Sequence, residues 1–310
     1  MLLLLGCALG AAACDRTAAV PPPALSPVAF PLTVSDALGR RLTLPAPPQR
    51  LVSLAPSLTE TLFALGAGER LVGVTLYDDY PPQVQRLPRV GGYVAASISI
   101  EKILSLRPDL VLAYGELQYA VVEALARRQV PVAALLARCV EEVYATTLLL
   151  GRLTGQLRQA HQVVAAMQQR VARVQARVAA IPPEKRVRVF YAVQDEPLIT
   201  AGPQTFLGQL LTLAGGLNIF ADLQARYAPV SAEEVVRRNP EVILGPDHHG
   251  QPLRRLAQQP GWQHVAAVRQ GRIYLLDGDL VSRPGPRLAA ALEAVVQALY
   301  PQYFPGRQGP

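Results

Sequence analysis

One stretch of sequence occurs twice in this chain, and the repetition constrains the fold more than any other feature. Residues 101–112 read EKILSLRPDLVL and residues 233–244 read EEVVRRNPEVIL. In each copy a proline follows the first glutamate by seven positions, and an acidic residue then precedes an apolar segment. Similarity over such a separation indicates duplicated domains, each with a short helix, a proline break and a buried strand.

Short apolar segments alternate with helical ones on both sides of the middle of the chain. The predicted strands are 50–55, 71–75, 110–113, 130–135, 187–193 and 242–244. Strands and helices joined by short connections predict an α/β fold with mostly parallel sheets. We therefore expect two Rossmann-like lobes, at residues 34–139 and 183–304, followed by a tail at 305–310. Ser57 is predicted to cap the helix that follows the first of these strands.

A long helical pattern separates the two halves. Residues 140–182 contain no proline before Pro182 and carry a recurring apolar face. A helix of this length extends up to about 60 Å, which is more than the width of one small domain. The heptad pattern of a coiled coil is not sustained, so we predict one rigid helix that joins the two lobes. A cleft between such lobes is where small ligands usually bind.

The composition limits the possible functions. The chain has 310 residues, of which 50% are hydrophobic and 17% are charged, enough apolar side chains for two packed domains. Its formal net charge is +7, but the arginines are interspersed with acidic residues and form no basic stripe with aromatics, so we expect no nucleic-acid partner. No apolar run reaches the roughly 20 residues of a transmembrane helix.

The N-terminus has the features of a secretion signal. Residues 1–13 are apolar and small, as in a signal peptide. The sequence Ala-Ala-Ala-Cys at residues 11–14 resembles a bacterial lipobox, which predicts that Cys14 is acylated and becomes the mature N-terminus. Residues 14–33 are rich in proline and alanine and are predicted to be a tether. The alternative is a cleaved signal peptide followed by an incidental cysteine.

Seven segments, taken in order, resemble one known family. They are Arg50–Glu60, Leu71–Val74, Tyr80–Pro82, Val90–Gly92, Arg107–Val111, Ala214–Asn218 and Arg283–Arg287. Together they are similar to the periplasmic binding proteins with a rigid helical backbone, which serve ABC importers of cobalamin, iron-siderophores and haem. The resemblance covers nearly all of residues 42–300 and is strongest to the cobalamin branch.

The resemblance implies a function in transport. It implies a substrate-binding protein, not an enzyme, which captures a corrinoid between its lobes and delivers it to an ABC permease dimer and its ATPase subunits. It implies a monomer on the outer face of the cytoplasmic membrane, in the periplasm or outside the cell, held to the membrane by its lipid. No cofactor beyond the transported ligand is expected.

Four tyrosines match the ligand-contacting positions of the cobalamin binders, and one arginine is a further candidate for ligand contact. Tyr77, Tyr93, Tyr114 and Tyr227 stand where the resemblance places aromatic residues, often tryptophan, along the pocket. A tyrosine ring offers a broad apolar face and a hydroxyl that can meet a ligand amide. Arg283 could bond an amide or a carboxylate. The competing interpretation is ordinary half-buried packing of each tyrosine, but all four follow strands or lie in loops, where a cleft would be.

The repeated glutamates suggest a second function. In the family, one surface glutamate of each lobe docks onto arginines of the two permease subunits, and Glu101 and Glu233 match these positions. The competing interpretation is that both acids simply favour the positive ends of their helices. Two matching acids suit a two-fold partner, which favours docking. Glu234 is adjacent and could substitute for Glu233.

Other functions are predicted less strongly. A ferric siderophore is the second candidate ligand. Haem is the third: Tyr93 could ligate its iron, but haem binders of this family tend to lack the additional Gly92. Ser57 lacks the flanking glycines of a hydrolase nucleophile elbow. A metal-ion site would have to use the pair His248 and His249 with Asp247, or the two remaining histidines, His161 and His264, and this spacing suits a solvated loop better.

Overall fold

The first lobe is built around a parallel sheet. The computed structural model describes residues 27–247, Leu253 and residues 257–304. The strands of this lobe are β1 Leu32–Ser35, β2 Arg41–Leu44, β3 Leu51–Ser53, β4 Leu71–Gly73, β5 Leu110–Tyr114 and β6 Val132–Leu135. Its helices are α1 Pro56–Ala64, α2 Ile100–Ser105 and α3 Tyr119–Ala126. The sheet order is β4-β3-β5-β6, with every neighbouring pair parallel, and β1 and β2 form a separate antiparallel hairpin.

Both faces of this sheet are buried, which explains the continuous apolar segments of the sequence. Along β5, Leu110 and Leu112 pack into one core cluster, whereas Val111 and Ala113 pack into the cluster on the opposite face. Successive side chains of a strand point to opposite faces, so a strand covered on both sides needs apolar residues at every position.

The start of the first lobe differs from the sequence prediction in two places. The tether predicted for residues 14–33 does not extend that far, because Val28 and Phe30 pack against the core and β1 begins at Leu32. Ser57 is not a helix cap: Ala55 is the N-cap residue of α1 and no side chain caps the helix. The predicted signal peptide at 1–13, Cys14 and the tail at 305–310 lie outside the described residues.

The helix predicted for residues 140–182 is divided into two. Helix α4 covers Val140–Thr154, and helix α5 covers Leu157–Ala179. Gly155 ends α4 with a left-handed φ of 72°, a conformation that costs glycine little and stops a helix. The prediction gave this glycine too little weight.

Helix α5 is the long element that joins the lobes. Its 23 residues correspond to about 34 Å. Near its start Ala160 belongs to the core of the first lobe, and further along Val171 and Val178 belong to the core of the second. Helix α4 runs the other way, since Val143 lies in the core of the second lobe and Leu150 in that of the first. The two helices therefore form a hairpin that ties both lobes together.

The second lobe repeats the plan of the first and adds antiparallel strands. Its strands are β7 Arg188–Asp195, β8 Leu198–Ala201, β9 Leu217–Asn218, β10 Tyr227–Pro229, β11 Val242–Asp247 and β12 Ile273–Asp277. Its helices are α6 Phe206–Leu213, α7 Ala232–Arg238, α8 Ala266–Arg269, α9 Gly278–Ser282 and α10 Leu288–Leu299. The sheet order is β10-β8-β7-β11-β12, with β9 beside β7. β9, β7, β11 and β12 are parallel, and β8 and β10 extend the sheet antiparallel.

The sequence repeat is reproduced in the local structure. Ser99 caps α2 and Ser231 caps α7, each accepting a hydrogen bond from the backbone N–H three positions later. After each helix, the residue directly before the repeated proline has a left-handed φ, 47° at Arg107 and 44° at Asn239. The strands β5 and β11 follow. The predicted α/β class with two related lobes is thus confirmed.

Candidate functional site

A cavity of about 640 Å³ lies between the lobes. Its lining comes from the first lobe at the ends of β5 and β6, and from the second lobe at β7, the start of α6, the start of β10 and the end of α9. The residues are Tyr93, Tyr114, Glu116, Leu117, Leu136, Ala137, Arg138, Val193, Thr205, Phe206, Leu207, Arg226, Tyr227, Ser282 and Pro284. The carboxyl ends of parallel strands are the usual edge for ligand binding in such sheets.

A second cavity of about 410 Å³ adjoins the first. It shares Tyr93, Ser282 and Pro284 with the first cavity, so the two are neighbouring compartments of one cleft. The residues found only in the second are Pro56, Ser57, Tyr77, Val94, Ser97, Asp279 and Arg283. Hydroxyl- and carboxylate-bearing residues form a larger share of the lining of this compartment than of the first, because fewer apolar residues line it.

The structure brings all four predicted tyrosines to this cleft. Tyr93, Tyr114 and Tyr227 line the first cavity, and Tyr77 lines the second beside Tyr93. The rings of Tyr93 and Tyr114 are 5.7 Å apart between centroids and are tilted by 42°. Tyr77 and Tyr227 are 59% and 51% exposed, which is high for aromatic side chains in a structure with a packed core. Ligand contact by these rings remains a prediction.

The hydroxyls of the buried tyrosines stay protonated at neutral pH. Burial, together with the neighbouring Tyr227, raises the pKa of Tyr114 to about 12. Burial also raises the pKa of Tyr93 well above its usual value. The Tyr114 hydroxyl donates a hydrogen bond of 3.2 Å to the carbonyl oxygen of Ala137. Within the described residues the Tyr93 hydroxyl has no hydrogen-bond partner, so it is available to a ligand.

Two glycines set the position of Tyr93. A Cβ on Gly91, whose φ is 132°, would lie 2.2 Å from the carbonyl oxygen of Ser97. A Cβ on Gly92 would lie 2.5 Å from the Ser97 hydroxyl oxygen. Only glycine allows the two backbone segments to approach this closely. The double glycine of the sequence thus has a structural role that presents Tyr93 at the junction of the two cavities.

A hydrogen-bonded loop presents Tyr77. The buried Asp78 carboxylate accepts hydrogen bonds from the Thr75 backbone N–H at 2.9 Å and from the Thr75 hydroxyl at 2.5 Å. Arg89 Nη1 donates to the carbonyl oxygens of Thr75 and Asp78, both at 2.8 Å. Burial raises the pKa of Asp78 in spite of these hydrogen bonds. These contacts hold the backbone of the loop and leave the Tyr77 ring exposed.

Arg283 lies in the second cavity, where its guanidinium bonds to other groups of the protein. Its Nη1 donates to Glu60 Oε1 at 3.1 Å and to Asp79 Oδ1 at 2.6 Å. Its Nη2 donates to the carbonyl oxygen of Tyr77 at 3.0 Å and lies 2.7 Å from Asp279 Oδ1. Arg283 therefore joins the second lobe to the first, and its direct contact with a ligand remains a prediction.

Two carboxylates from opposite lobes share Arg283. Burial raises the pKa of Asp79, but the hydrogen bond and charge of Arg283 outweigh it and hold the pKa below its usual value. Burial and the adjacent Asp79 carboxylate raise the pKa of Asp279.

Sequence reasoning missed several residues of the first cavity. Phe206 and Leu207 begin α6 and supply apolar surface opposite the tyrosines. Arg138 forms an ion pair with Glu142 at 2.6 Å. The Arg226 side chain has no ion pair or hydrogen bond within the described residues, and it precedes Tyr227 directly. That adjacency was the one available signal, since the other residues come from elements that only the tertiary structure places at the cleft.

The two repeated glutamates are exposed and occupy equivalent positions. Glu101 and Glu233 are each the second residue of their helix, α2 and α7, and neither takes part in an ion pair within the described residues. Hydrogen bonds from its own backbone N–H and from the Ser231 hydroxyl hold the pKa of Glu233 below its usual value. Glu234, considered as a substitute, forms ion pairs with Arg237 and Arg238 instead. The docking role stays a prediction.

The remaining alternatives gain no support from the site. The described residues contain no group of three His, Cys, Asp or Glu side chains that could hold a metal ion. His248 and His249 lie outside the described residues. Ser57 lines the second cavity, and the helix that begins beside it carries no histidine.

In the part of the chain that the structure describes, no helix combines the length and the apolar character needed to cross a bilayer.

Known proteins resemble this chain along most of its length. The family model described as "Periplasmic binding protein" matches residues 51–280. The Bacillus subtilis (strain 168) protein named "Uncharacterized ABC transporter substrate-binding lipoprotein YvrC" is 33% identical over 89% of this chain and 87% of its own length. The vitamin B12-binding protein of Pectobacterium carotovorum subsp. carotovorum (strain PC1) is 33% identical over 81% of this chain and 88% of its own.

A solved structure of a protein that is named for a different ligand also resembles this chain. The periplasmic heme-binding protein RhuT from Roseiflexus sp. RS-1, in its apo form, superimposes with a TM-score of 0.73 at 28% sequence identity. The match covers 82% of this chain and 99% of that one. The two-lobed architecture is therefore common to binding proteins that are named for different ligands.

Proposed function

The chain belongs to the periplasmic binding protein family, and from this membership we propose that it is the substrate-binding lipoprotein of an ABC importer which captures a corrinoid in its interlobe cleft. The observation that supports the ligand is the first cavity, which both lobes line with tyrosine rings. Membership of a family of binding proteins also agrees with the prediction that the chain is not an enzyme.

The size and chemistry of the cleft fit a broad, flat, amphipathic ligand. Pockets for such ligands usually measure about 300–1,000 Å³ and are mostly apolar with a few polar groups. Here the apolar surface comes from Tyr93, Tyr114, Phe206 and Leu207. The Arg226 side chain is a donor that has no partner among the described residues. A corrinoid has a flat macrocycle for the rings and a fringe of amides for the polar groups.

The proposal extends to transport. We propose that Glu101 and Glu233, one on each lobe, dock onto a permease dimer that is driven by ATPase subunits. Each helix runs opposite to the parallel strand that follows it, so both acids lie toward the carboxyl ends of the strands, on the side of the cleft. Acylation of Cys14 would hold the protein on the outer face of the cytoplasmic membrane.

Haem is an alternative ligand because a haem-binding protein has a similar fold. Tyr93 faces the cleft and is the residue that could ligate iron. Burial raises the pKa of its hydroxyl, however, and this opposes the phenolate form that ligates ferric haem. A ferric siderophore would need cationic or polar contacts, for which Arg226 is available. The tyrosine rings on both lobes suit a flat macrocycle and so favour a corrinoid or haem over a ferric siderophore.

Titration of the purified protein tests the ligand. We expect cyanocobalamin to bind with one site per chain, to release heat and to change the visible spectrum, whereas a ferric hydroxamate and haemin bind more weakly. The protein used should begin at about residue 27, because Val28 and Phe30 are part of the core. Tight binding of the ferric chelate or of haemin, with no heat or spectral change from cyanocobalamin, would reassign the ligand while leaving the family intact.

A further inference from the structure

We propose that Glu60 is a positioning residue of the cleft: through Arg283 and Arg287 it holds the segment 282–287 of the second lobe and the loop 75–80 of the first together as one wall. The proposal rests on the proposed function in so far as this wall contacts the captured ligand. Glu60 itself lines neither cavity.

The contacts of Glu60 cross from one lobe to the other. Glu60 lies in α1, and both of its partners lie at or just after the end of α9 in the second lobe. Arg287 donates from Nε to Glu60 Oε2 at 2.8 Å and from Nη2 to Oε1 at 2.7 Å, which makes a bidentate ion pair. Arg283 Nη1 donates to the same Oε1 at 3.1 Å. Both oxygens of one carboxylate are thus bonded to the other lobe.

Burial makes these partners necessary. The Glu60 side chain is 1% exposed, and those of Arg283 and Arg287 are 10% and 23% exposed. A charge inside a protein is tolerated only when other groups pair with it and hydrogen-bond to it. The ion-pair partners of Glu60 among the described residues both come from the opposite lobe, so separating the lobes here would leave a carboxylate buried without a counter-charge.

The same two arginines also hold the loop that carries Tyr77. Arg283 Nη2 donates to the carbonyl oxygen of Tyr77, and its Nη1 donates to Asp79. The Arg287 guanidinium lies over the ring of Tyr80, 4.4 Å from the centroid. Loop 75–80 supplies Tyr77 to the second cavity, and segment 282–287 supplies Ser282 and Pro284 to both. Glu60 therefore connects residues that line the two cavities, although its own side chain lines neither.

Hydrogen exchange of the unliganded full chain tests the positioning role without any assumption about the ligand. We expect Glu60→Gln and Arg287→Gln each to speed amide exchange in segments 75–80 and 282–287 by about threefold or more, since local opening follows the loss of local contacts. Exchange in α5 and α10 should stay unchanged. The double variant should exchange no faster than Glu60→Gln alone, because that single change already removes the Glu60–Arg287 ion pair.

An exposed arginine–glutamate ion pair away from the cleft, also bidentate, provides the control. Arg170 and Glu293 pair at 2.7 Å between α5 and α10, with side chains 41% and 47% exposed. Glu293→Gln should leave exchange in both segments unchanged. Unchanged exchange in Arg287→Gln, or faster exchange throughout the second lobe, would overturn the proposal. If Glu60→Gln does not fold, Arg287→Gln alone decides the outcome.

Ligand dissociation provides the functional measurement. We expect Arg287→Gln to release cyanocobalamin about tenfold faster with little change in association rate, because most affinity changes at a preformed site appear in dissociation. Faster exchange with an unchanged dissociation rate would contradict the positioning role. If the unmodified protein binds no cyanocobalamin but the exchange results are as expected, the positioning of the wall stands and the corrinoid assignment fails.

Discussion

Replacing Tyr93 with alanine is expected to weaken ligand binding about 10- to 100-fold, the range produced when a central aromatic anchor is removed. Tyr93 lines both cavities, its ring lies 5.7 Å from that of Tyr114, and its hydroxyl has no hydrogen-bond partner among the described residues. No other tyrosine of the cleft occupies the junction of the two compartments. Calorimetric titration with cyanocobalamin measures the change.

Two further variants separate the contributions of the ring and of the hydroxyl. Tyr93→Phe keeps the apolar face and is expected to retain most of the affinity if the ring dominates. Tyr303→Ala is the control, since Tyr303 also contacts another tyrosine, Tyr300, at 6.4 Å between centroids but lines neither cavity. Equal losses for Tyr93→Ala and Tyr303→Ala would show that the effect comes from stability and not from ligand contact.

Reversing the charge of Glu101 and Glu233 together is expected to reduce ligand uptake about tenfold or more while the affinity for ligand stays the same. Both acids are exposed, unpaired within the described residues and equivalent in the two lobes. Lysine at both positions would face the arginines proposed on the permease subunits, and the repulsion between like charges would disfavour the complex with the permease. Uptake of labelled cyanocobalamin by cells and stimulation of the ATPase by the purified protein measure docking, and calorimetry measures binding.

A second pair of acids matches these two closely. Glu69 and Glu184 are exposed and lie in the first turn of short 3-10 helices, one before β4 and one before β7. They lie at the amino ends of the strands, away from the cleft. Reversal of this pair should leave uptake unchanged. If it reduces uptake as much as reversal of Glu101 and Glu233, the effect is one of net charge and the docking role is wrong.

Two of the four tyrosines of the cleft could be predicted without the resemblance, because their positions follow from strand ends. Tyr114 is the last residue of β5, and Tyr77 follows β4 in a loop. In a parallel sheet the carboxyl ends of all strands meet at one edge, so residues far apart in sequence converge there. Gly91 and Gly92 were a further visible signal, because adjacent glycines mark a close approach of two backbone segments. Gly155 also indicated that the long helical pattern is divided into two helices, but the prediction did not use this glycine as a helix end.

The partners of charged residues could not be predicted. Arg283 is 223 positions from Glu60, and nothing in either local sequence indicates that the two meet. Sequence reasoning assigned Arg283 to the ligand because it lies in a predicted loop of the second half and a guanidinium can bond an amide or a carboxylate. Glu234 is an exception, since its ion pairs with Arg237 and Arg238 have the i,i+3 and i,i+4 spacings of neighbours on the short helix that the sequence predicts.

The sequence by itself determined the duplicated α/β plan, the two exposed glutamates and the aromatic character of the cleft. These depend on local periodicity, on helix caps and on strand ends, all of which act over a few residues. Only the tertiary structure decided how the lobes meet, because that contact pairs a buried carboxylate in α1 with two arginines that follow α9. Such an ion pair forms only when both lobes are packed on α5, so it cannot be predicted from any local sequence pattern.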